Sequence, residues 1–225
     1  MILTSSVNKE VFKEVMMSSK FLSLNPEKQE RILNAALKEF AQKGYENAST
    51  NEIVKSAGIS KGLLFHYFKN KKELYLFLYN HFTHVMVEEF FNELDLSERD
   101  IFERMKTLMI LKNKLMAKHP EVFDFTVAAS MESAEEVKEI LNNTNTELIQ
   151  ASYSRLFENI DISRFREGVD IQRTINIIMW TLQGISNQEL EKAKRLNIVK
   201  PNFDEGFKEA EVYIDMMKKA FYKSV

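Results

Sequence analysis

The chain contains no cysteine. That excludes disulfides, thiolate metal sites and thiol nucleophiles, and it fits a reducing cytoplasm. Glycine and proline are scarce, six and three in 225 residues. So few turn-formers, beside abundant Leu, Lys, Glu, Phe and Met, argue against a β-sandwich and favour helices. No long apolar run is present. The run Ile177 to Trp180 with its neighbours falls far short of a membrane span. The opening MILTSSVNKE lacks a basic stretch followed by an apolar core, so a signal peptide is not expected. The expectation is a soluble, cytoplasmic protein with no membrane partner. With 44% hydrophobic residues there is material for a sizeable core.

Net charge is −2, which by itself says nothing about nucleic acid. Its distribution says more. From Asn25 to Tyr75 nine Lys or Arg face six Asp or Glu, a balance of +3, which leaves about −5 for the remainder. Between Ser60 and Lys72 stand four lysines, one histidine and no acid. A basic face on an acidic body suits a DNA reader joined to a second domain. A chance cluster on a solvated face would look the same by charge alone.

The pattern along the chain is helical throughout. Residues 1–24 are expected to form a poorly ordered or loosely docked arm. Asn25-Pro26 opens the first strong helix as N-cap and first-turn proline, and Lys43-Gly44 closes it. Ser49 with Glu52 forms a capping-box pattern, and Ala57-Gly58 ends that short helix. Ser60 caps the next. Asn70 caps a fourth, running from Lys71 to about Leu94. Ser97 with Asp100 opens another, His119-Pro120 breaks it, and Glu121 to Met131 is short and apolar. Ser133 with Glu136 is a second capping-box pattern, starting a helix with a possible kink near Asn142-Asn143. A long helix from Arg164 to about Leu190 and a last one from Phe203 to Tyr222 follow, separated by Lys200-Pro201. Ile171, Ile175, Ile178, Leu182 and Ile185 step by 4, 3, 4 and 3, and Phe203, Phe207, Ala210, Ile214, Met217 and Phe221 repeat that rhythm. Such seams serve packing within one chain or a four-helix interface between two copies.

The stretch Ser49–Leu74 has the parts of a helix-turn-helix. Ala57 is the small residue near the turn, Gly58 the turn glycine, and Ile53, Val54, Ile59 and Leu64 the apolar lock. The second helix of such a motif lays its N-terminal residues on base edges in the major groove. Those positions hold Ser60, Lys61, Gly62 and Leu63. Ser and Lys suit phosphate or bases, Gly permits close approach, and Leu suits a thymine methyl.

Thr50-Asn51-Glu52-Ile53-Val54, Ala57-Gly58-Ile59-Ser60-Lys61-Gly62 and Leu64-Phe65-His66-Tyr67-Phe68, followed by Lys71-Lys72-Glu73-Leu74, together resemble the signature of the tetracycline-repressor (TetR) family. The resemblance spans roughly Pro26 to Phe77. It implies an all-α homodimer: an arm at 1–24, a three-helix DNA-binding domain at 25–72, and a helical ligand-binding and dimerisation domain at 73–225. It further implies that Ser49 and Thr50 meet the DNA backbone. By the same resemblance Ser60, Lys61, Gly62, Leu63 and His66 approach the groove, and Tyr67 and Lys71 grip phosphates. Leu63 stands where many members carry Thr, and Phe65 where Tyr is common, so the operator sequence should differ. The implied partners are a palindromic double-stranded operator, a second copy bound through the helices around 164–190 and 203–222, and a small hydrophobic effector.

Rival readings are weaker. His81, His84 and Glu88 fall on one helical face at a spacing that could hold a metal, but surface or core histidines are the commoner outcome. No nucleophile–base pattern or phosphate-cradling glycine loop is visible, so no catalytic residue, cofactor or metal is expected. A helical interaction protein without specific DNA binding would explain the seams but not the basic helix. Phe102, Met105, Met109, Phe123, Tyr153, Phe157 and Trp180 are candidates to line an effector pocket, with Gln183 and Asn187 supplying polar contacts.

Overall fold

Local capping chemistry sets most helix ends. The computed structural model describes residues 19–196 and 203–223, so the first 18 residues and the Lys200-Pro201 break lie outside the described residues. Among the described residues the elements are helices, apart from one antiparallel bridge between Phe165 and Tyr222. No helix among them is long and apolar enough to cross a membrane.

In chain order the helices are α1 (Ser19–Leu22), α2 (Pro26–Asn47), α3 (Thr50–Ala57), α4 (Lys61–Tyr67) and α5 (Lys71–Glu93). There follow α6 (Ile101–Lys118), α7 (Pro120–Ser130), α8 (Glu135–Leu156), α9 (Ile171–Arg195) and α10 (Asp204–Phe221). They divide into two compact units. One holds the described residues up to His84 together with Glu121–Thr144, and the other holds Val85–Pro120 and the described residues from Asn145 onward. This division does not follow a boundary at 72/73, because α7 and the start of α8 share the first unit's core.

In the first unit, Asn25 Oδ1 accepts from the Glu27 amide at 2.9 Å, and the helix it starts breaks at Gly44, whose φ is +68°. The ring of Tyr75 lies at the centre of the core. It meets Phe40, Tyr45 and Phe125 edge-on, with centroids 4.9, 5.2 and 5.4 Å away. Such pairs add roughly 0.5–1.5 kcal/mol each beyond simple burial. The expected loose arm is corrected at its end. Phe21 is fully buried against Phe68 and Phe77, and Gln29 Nε2 ties down the Leu22 and Leu24 carbonyls.

The second unit departs more from expectation. The cap of α6 is Asp100, which accepts from the Phe102 and Glu103 amides, while Ser97 sits in the preceding turn bonded to Asp95. The helix expected from Arg164 starts at Ile171. Residues 162–164 form a 3-10 turn, Phe165 bridges to Tyr222, and Asp170 caps the true helix at the Arg173 amide. Helix α8 runs from Glu135 to Leu156 as one element. At its start Glu132, not a Ser133–Glu136 box, accepts from the Ser133 and Ala134 amides, and Glu136 turns to the Tyr45 hydroxyl.

The two seams pack inside the chain. Ile178, Ile214 and Met217 are buried against Ile101, Phe102 and Met105 of α6. At the α9–α10 crossing a Cβ on Gly206 would lie 2.9 Å from Glu189 Cγ, so glycine permits that approach. Arg104, which the sequence did not single out, is fully buried. Its guanidinium donates to the carbonyls of Leu96, Glu98, Leu156 and Glu158 and so ties the loop before α6 to the end of α8.

Candidate functional site

Helices α3 and α4 meet at a turn whose geometry glycine makes possible. Gly58 lies in the left-handed region at φ 66°, ψ 38°, and its amide reaches the Lys55 and Val54 carbonyls. Ile53, Val54, Ala57 and Leu64 are buried and hold the two helices together. Ser49 accepts from the Glu52 amide at 3.5 Å, as a capping residue should. The reciprocal half of that box is not filled by Glu52. The Ser49 amide donates at 2.9 Å to Glu39, ten residues back on α2. A carboxylate from the previous helix therefore fixes the start of α3, and Glu52 is left exposed.

Helix α4 carries the face of interest. Ser60 Oγ accepts from the Leu63 amide at 3.2 Å, which leaves its hydroxyl hydrogen free to donate elsewhere. Ser60, Lys61, Gly62 and His66 are exposed, and Leu63 and Tyr67 are half-buried. Ser49 and Thr50 are also half-buried, at the start of α3. A Cβ placed on Gly62 would meet nothing within 4 Å. The fold thus has no need of glycine there, and a mid-helix glycine costs roughly 0.5–1 kcal/mol against alanine. Tyr67 is braced by edge contacts with Phe21 and His66.

Lys71 stands differently from the others. Its ammonium donates to the Glu46 carbonyl at 2.9 Å and to Ala48 at 3.3 Å, and it lies 4.8 Å from the Tyr45 ring centre. It closes the end of α2, so a phosphate would have to share it. Tyr45 is itself clamped, its amide to Glu132 at 2.7 Å and its hydroxyl to Glu136 at 2.7 Å. Burial, then Glu136, push the Tyr45 phenol well above its ordinary pKa.

The residues expected around an effector separate into groups. Phe102 and Met105 are sealed into the core, Phe102 edge-on to Tyr222 at 4.9 Å. Met109, Tyr153 and Phe157 are partly buried in the second unit, where Tyr153 and Phe157 both touch the group around Phe91. Phe123 belongs to the first unit. Trp180 is 71% exposed, and Gln183 and Asn187 are exposed and hydrogen-bonded to each other at 2.9 Å. The last three face outward from α9. His81 stacks on Phe77 at 5.7 Å, and no metal-holding group of His, Asp and Glu occurs among the described residues.

Residues 32–78 match the model of the tetR family of bacterial regulatory proteins. Over 153 residues the chain is 25% identical to the fatty acid metabolism regulator protein of Bacillus subtilis (strain 168), covering 68% of this chain and 78% of that protein. A fatty acid metabolism regulator of Clostridium perfringens is 25% identical with a TM-score of 0.57, over 82% of this chain and 96% of that one. The transcriptional regulator FadR of Bacillus subtilis, crystallised with stearoyl-CoA, shares the fold at 18% identity and a TM-score of 0.58, over 84% of this chain and 96% of its own.

Proposed function

We propose that the chain, whose residues 32–78 match the model of the tetR family of bacterial regulatory proteins, is a homodimeric, ligand-responsive repressor that leaves a palindromic operator when an acyl-chain effector binds. The observation that carries the DNA-binding part is the α4 face. Ser60, Lys61 and His66 are exposed around Gly62, a glycine whose missing side chain leaves open space. A duplex needs that clearance, and the folded chain does not. A helical interaction protein without DNA binding leaves this vacancy unexplained.

The second copy docks on the outer faces of α9 and α10. Ile177 (40%), Trp180 (71%), Val212 (53%) and Met216 (58%) are exposed there, which is far more apolar surface than a free helix pair should show. Gly184, one turn beyond Trp180, has nothing within 4 Å of a notional Cβ, which leaves space for a partner helix. The effector class is supported by the relatives named for fatty acid metabolism and by the partly open apolar side chains Leu108, Met109, Tyr153 and Phe157 of the second unit. An effector that prefers a dimer whose two readers no longer match successive grooves, about 34–36 Å apart, lowers operator affinity by its differential affinity for that state.

The test is selection of duplexes from a random pool, followed by titration of the selected site at several salt concentrations. Specific binding should weaken steeply with salt and be lost in a Lys61→Ala/His66→Ala variant that still folds. Equal binding by wild type and variant would sink the assignment of this face.

A further inference from the structure

The connection that leads into α3 is held by side chains from other parts of the chain. The Tyr45 amide donates to Glu132 at 2.7 Å, and the Ser49 amide donates to Glu39 at 2.9 Å. The Glu46 and Ala48 carbonyls accept from the Lys71 ammonium at 2.9 and 3.3 Å. These bonds fix the path of the backbone just before the first helix of the reader.

Glu132 differs from the other two holders in where it comes from. Glu39 belongs to α2 and Lys71 to α5, which flank α3 and α4 in the sequence. Glu132 stands in the corner between α7 and α8, 87 residues from Tyr45. One of its oxygens takes the Tyr45 amide. The other takes the Ser133 and Ala134 amides, at 2.9 and 3.0 Å, where α8 begins. A single carboxylate thus ties the end of α2 to the start of α8, with charge-assisted bonds on both sides. Further into α8, Glu136 accepts from the Tyr45 hydroxyl at 2.7 Å, so one segment grips the same tyrosine twice. Gly44 permits the approach: its φ is +68°, and a Cβ there would come 3.4 Å from Glu132 Oε2. Tyr45, Glu46 and Lys71 also share a cleft of about 610 Å³ with residues 133–136. On the side of that cleft, polar bonds and not apolar packing keep the two segments at their distance.

We infer that Glu132 and Glu136 are positioning residues of the DNA reader: the α7–α8 corner holds Tyr45, and through it the start of α3, at the angle that operator binding requires. This adds a route of regulation to the repressor reading above and rests on it. Helix α8 is one element from Glu135 to Leu156, and its residues after Thr144 belong to the second unit, where Leu156 joins the core of Phe91 and Leu94. An effector that favours a different placement of α8 therefore acts on Tyr45 without passing through α5.

The experiment uses the full chain and three duplexes: the selected operator, and copies with one base pair added or removed between the half-sites. Wild type should bind either altered duplex about 10-fold or more weakly, because its two readers are held at one spacing. In Glu132→Ala and Tyr45→Phe that discrimination should fall to about threefold or less, through weaker binding of the selected operator. Glu132→Gln, which still offers an oxygen to the Tyr45 amide, should keep most of it. Arg104→Lys is the control, since it loosens buried bonds of the second unit and leaves the joint untouched; it should discriminate as wild type does. With stearoyl-CoA added, wild type should bind the selected operator about 10-fold more weakly, and the Glu132→Ala and Tyr45→Phe variants should change by about twofold or less.

Wild-type discrimination in every folded variant, an equal loss on all three duplexes, or a wild type indifferent to spacing would overturn the positioning role and leave operator binding standing. An undiminished stearoyl-CoA response in both variants would overturn the route through α8. No response in wild type would overturn the acyl effector, and the spacing test then decides the positioning role alone. A wild type that selects no duplex would overturn the repressor reading and the positioning role together.

Discussion

The Lys71 ammonium donates to the Glu46 carbonyl at 2.9 Å. A residue placed by its motif among the phosphate contacts thus also caps the end of α2. Lys71→Ala should lower stability by about 1 kcal/mol as well as weaken DNA binding. Lys61→Ala, at an exposed position, should leave stability within about 0.5 kcal/mol and reduce the salt slope by about one. Urea melts beside operator titrations separate the two effects; equal melts for both variants would mean that the Lys71 bonds carry no net energy.

Gly62→Ala should move stability and function in opposite directions. The added methyl meets nothing in the free chain, so the helix gains roughly 0.5–1 kcal/mol. Operator affinity should fall, because the methyl occupies the space a duplex needs. A variant that is more stable and binds as tightly as wild type would remove Gly62 from the interface.

Trp180 and Met216 project from the second unit with 71% and 58% of their surface exposed. Trp180→Glu combined with Met216→Lys should convert a dimer into a monomer in sedimentation, with the far-ultraviolet spectrum unchanged. Operator affinity should drop sharply, since one reader cannot span two half-sites. A dimer that survives both changes would place the interface elsewhere.

Two groups set an acid-side loss of stability. Burial first, and the charge of His84 second, hold the His81 pKa below its ordinary value, so the neutral ring is the folded form. Its contribution is present above the unfolded pKa of about 6.5 and is lost as pH falls through the lower folded value. Asp100 follows at lower pH. Burial would raise its pKa, but the Lys218 ammonium and the Glu103 and Phe102 amides outweigh that and hold it below the carboxylate range. Its contribution is present above about pH 4 and is lost below it. Thermal melts of His81→Phe should lose the first decline and keep the second.

Arg104 donates to four backbone carbonyls from a fully buried position. Arg104→Lys keeps the charge but cannot reproduce the planar fork, and it should cost about 3 kcal/mol or more in a denaturant melt. A loss under about 1 kcal/mol would mean that water replaces those bonds at little cost.

The helix ends show how much of the molecule was legible beforehand. Asn25, Ser60, Asn70 and Gly58 act within three or four residues of themselves, and each does what its position announced. Where a partner comes from far along the chain, the local pattern misled. Glu39 displaced Glu52 at the Ser49 amide, Tyr45 drew Glu136 away from a capping role, and Asp100 rather than Ser97 capped α6.

By itself the sequence determined an all-α chain, the two capped helices and glycine turn of α3 and α4, and the resemblance of that segment to the tetR family. Caps and turns are short-range, and their chemistry is written in neighbouring residues. The tertiary structure decided which of two apolar stripes on α9 and α10 faces inward, since both stripes have helical spacing and only the position of α6 distinguishes them. It turned Trp180, Gln183 and Asn187 outward. Burial depends on what arrives from elsewhere in the chain, and no local pattern carries that information.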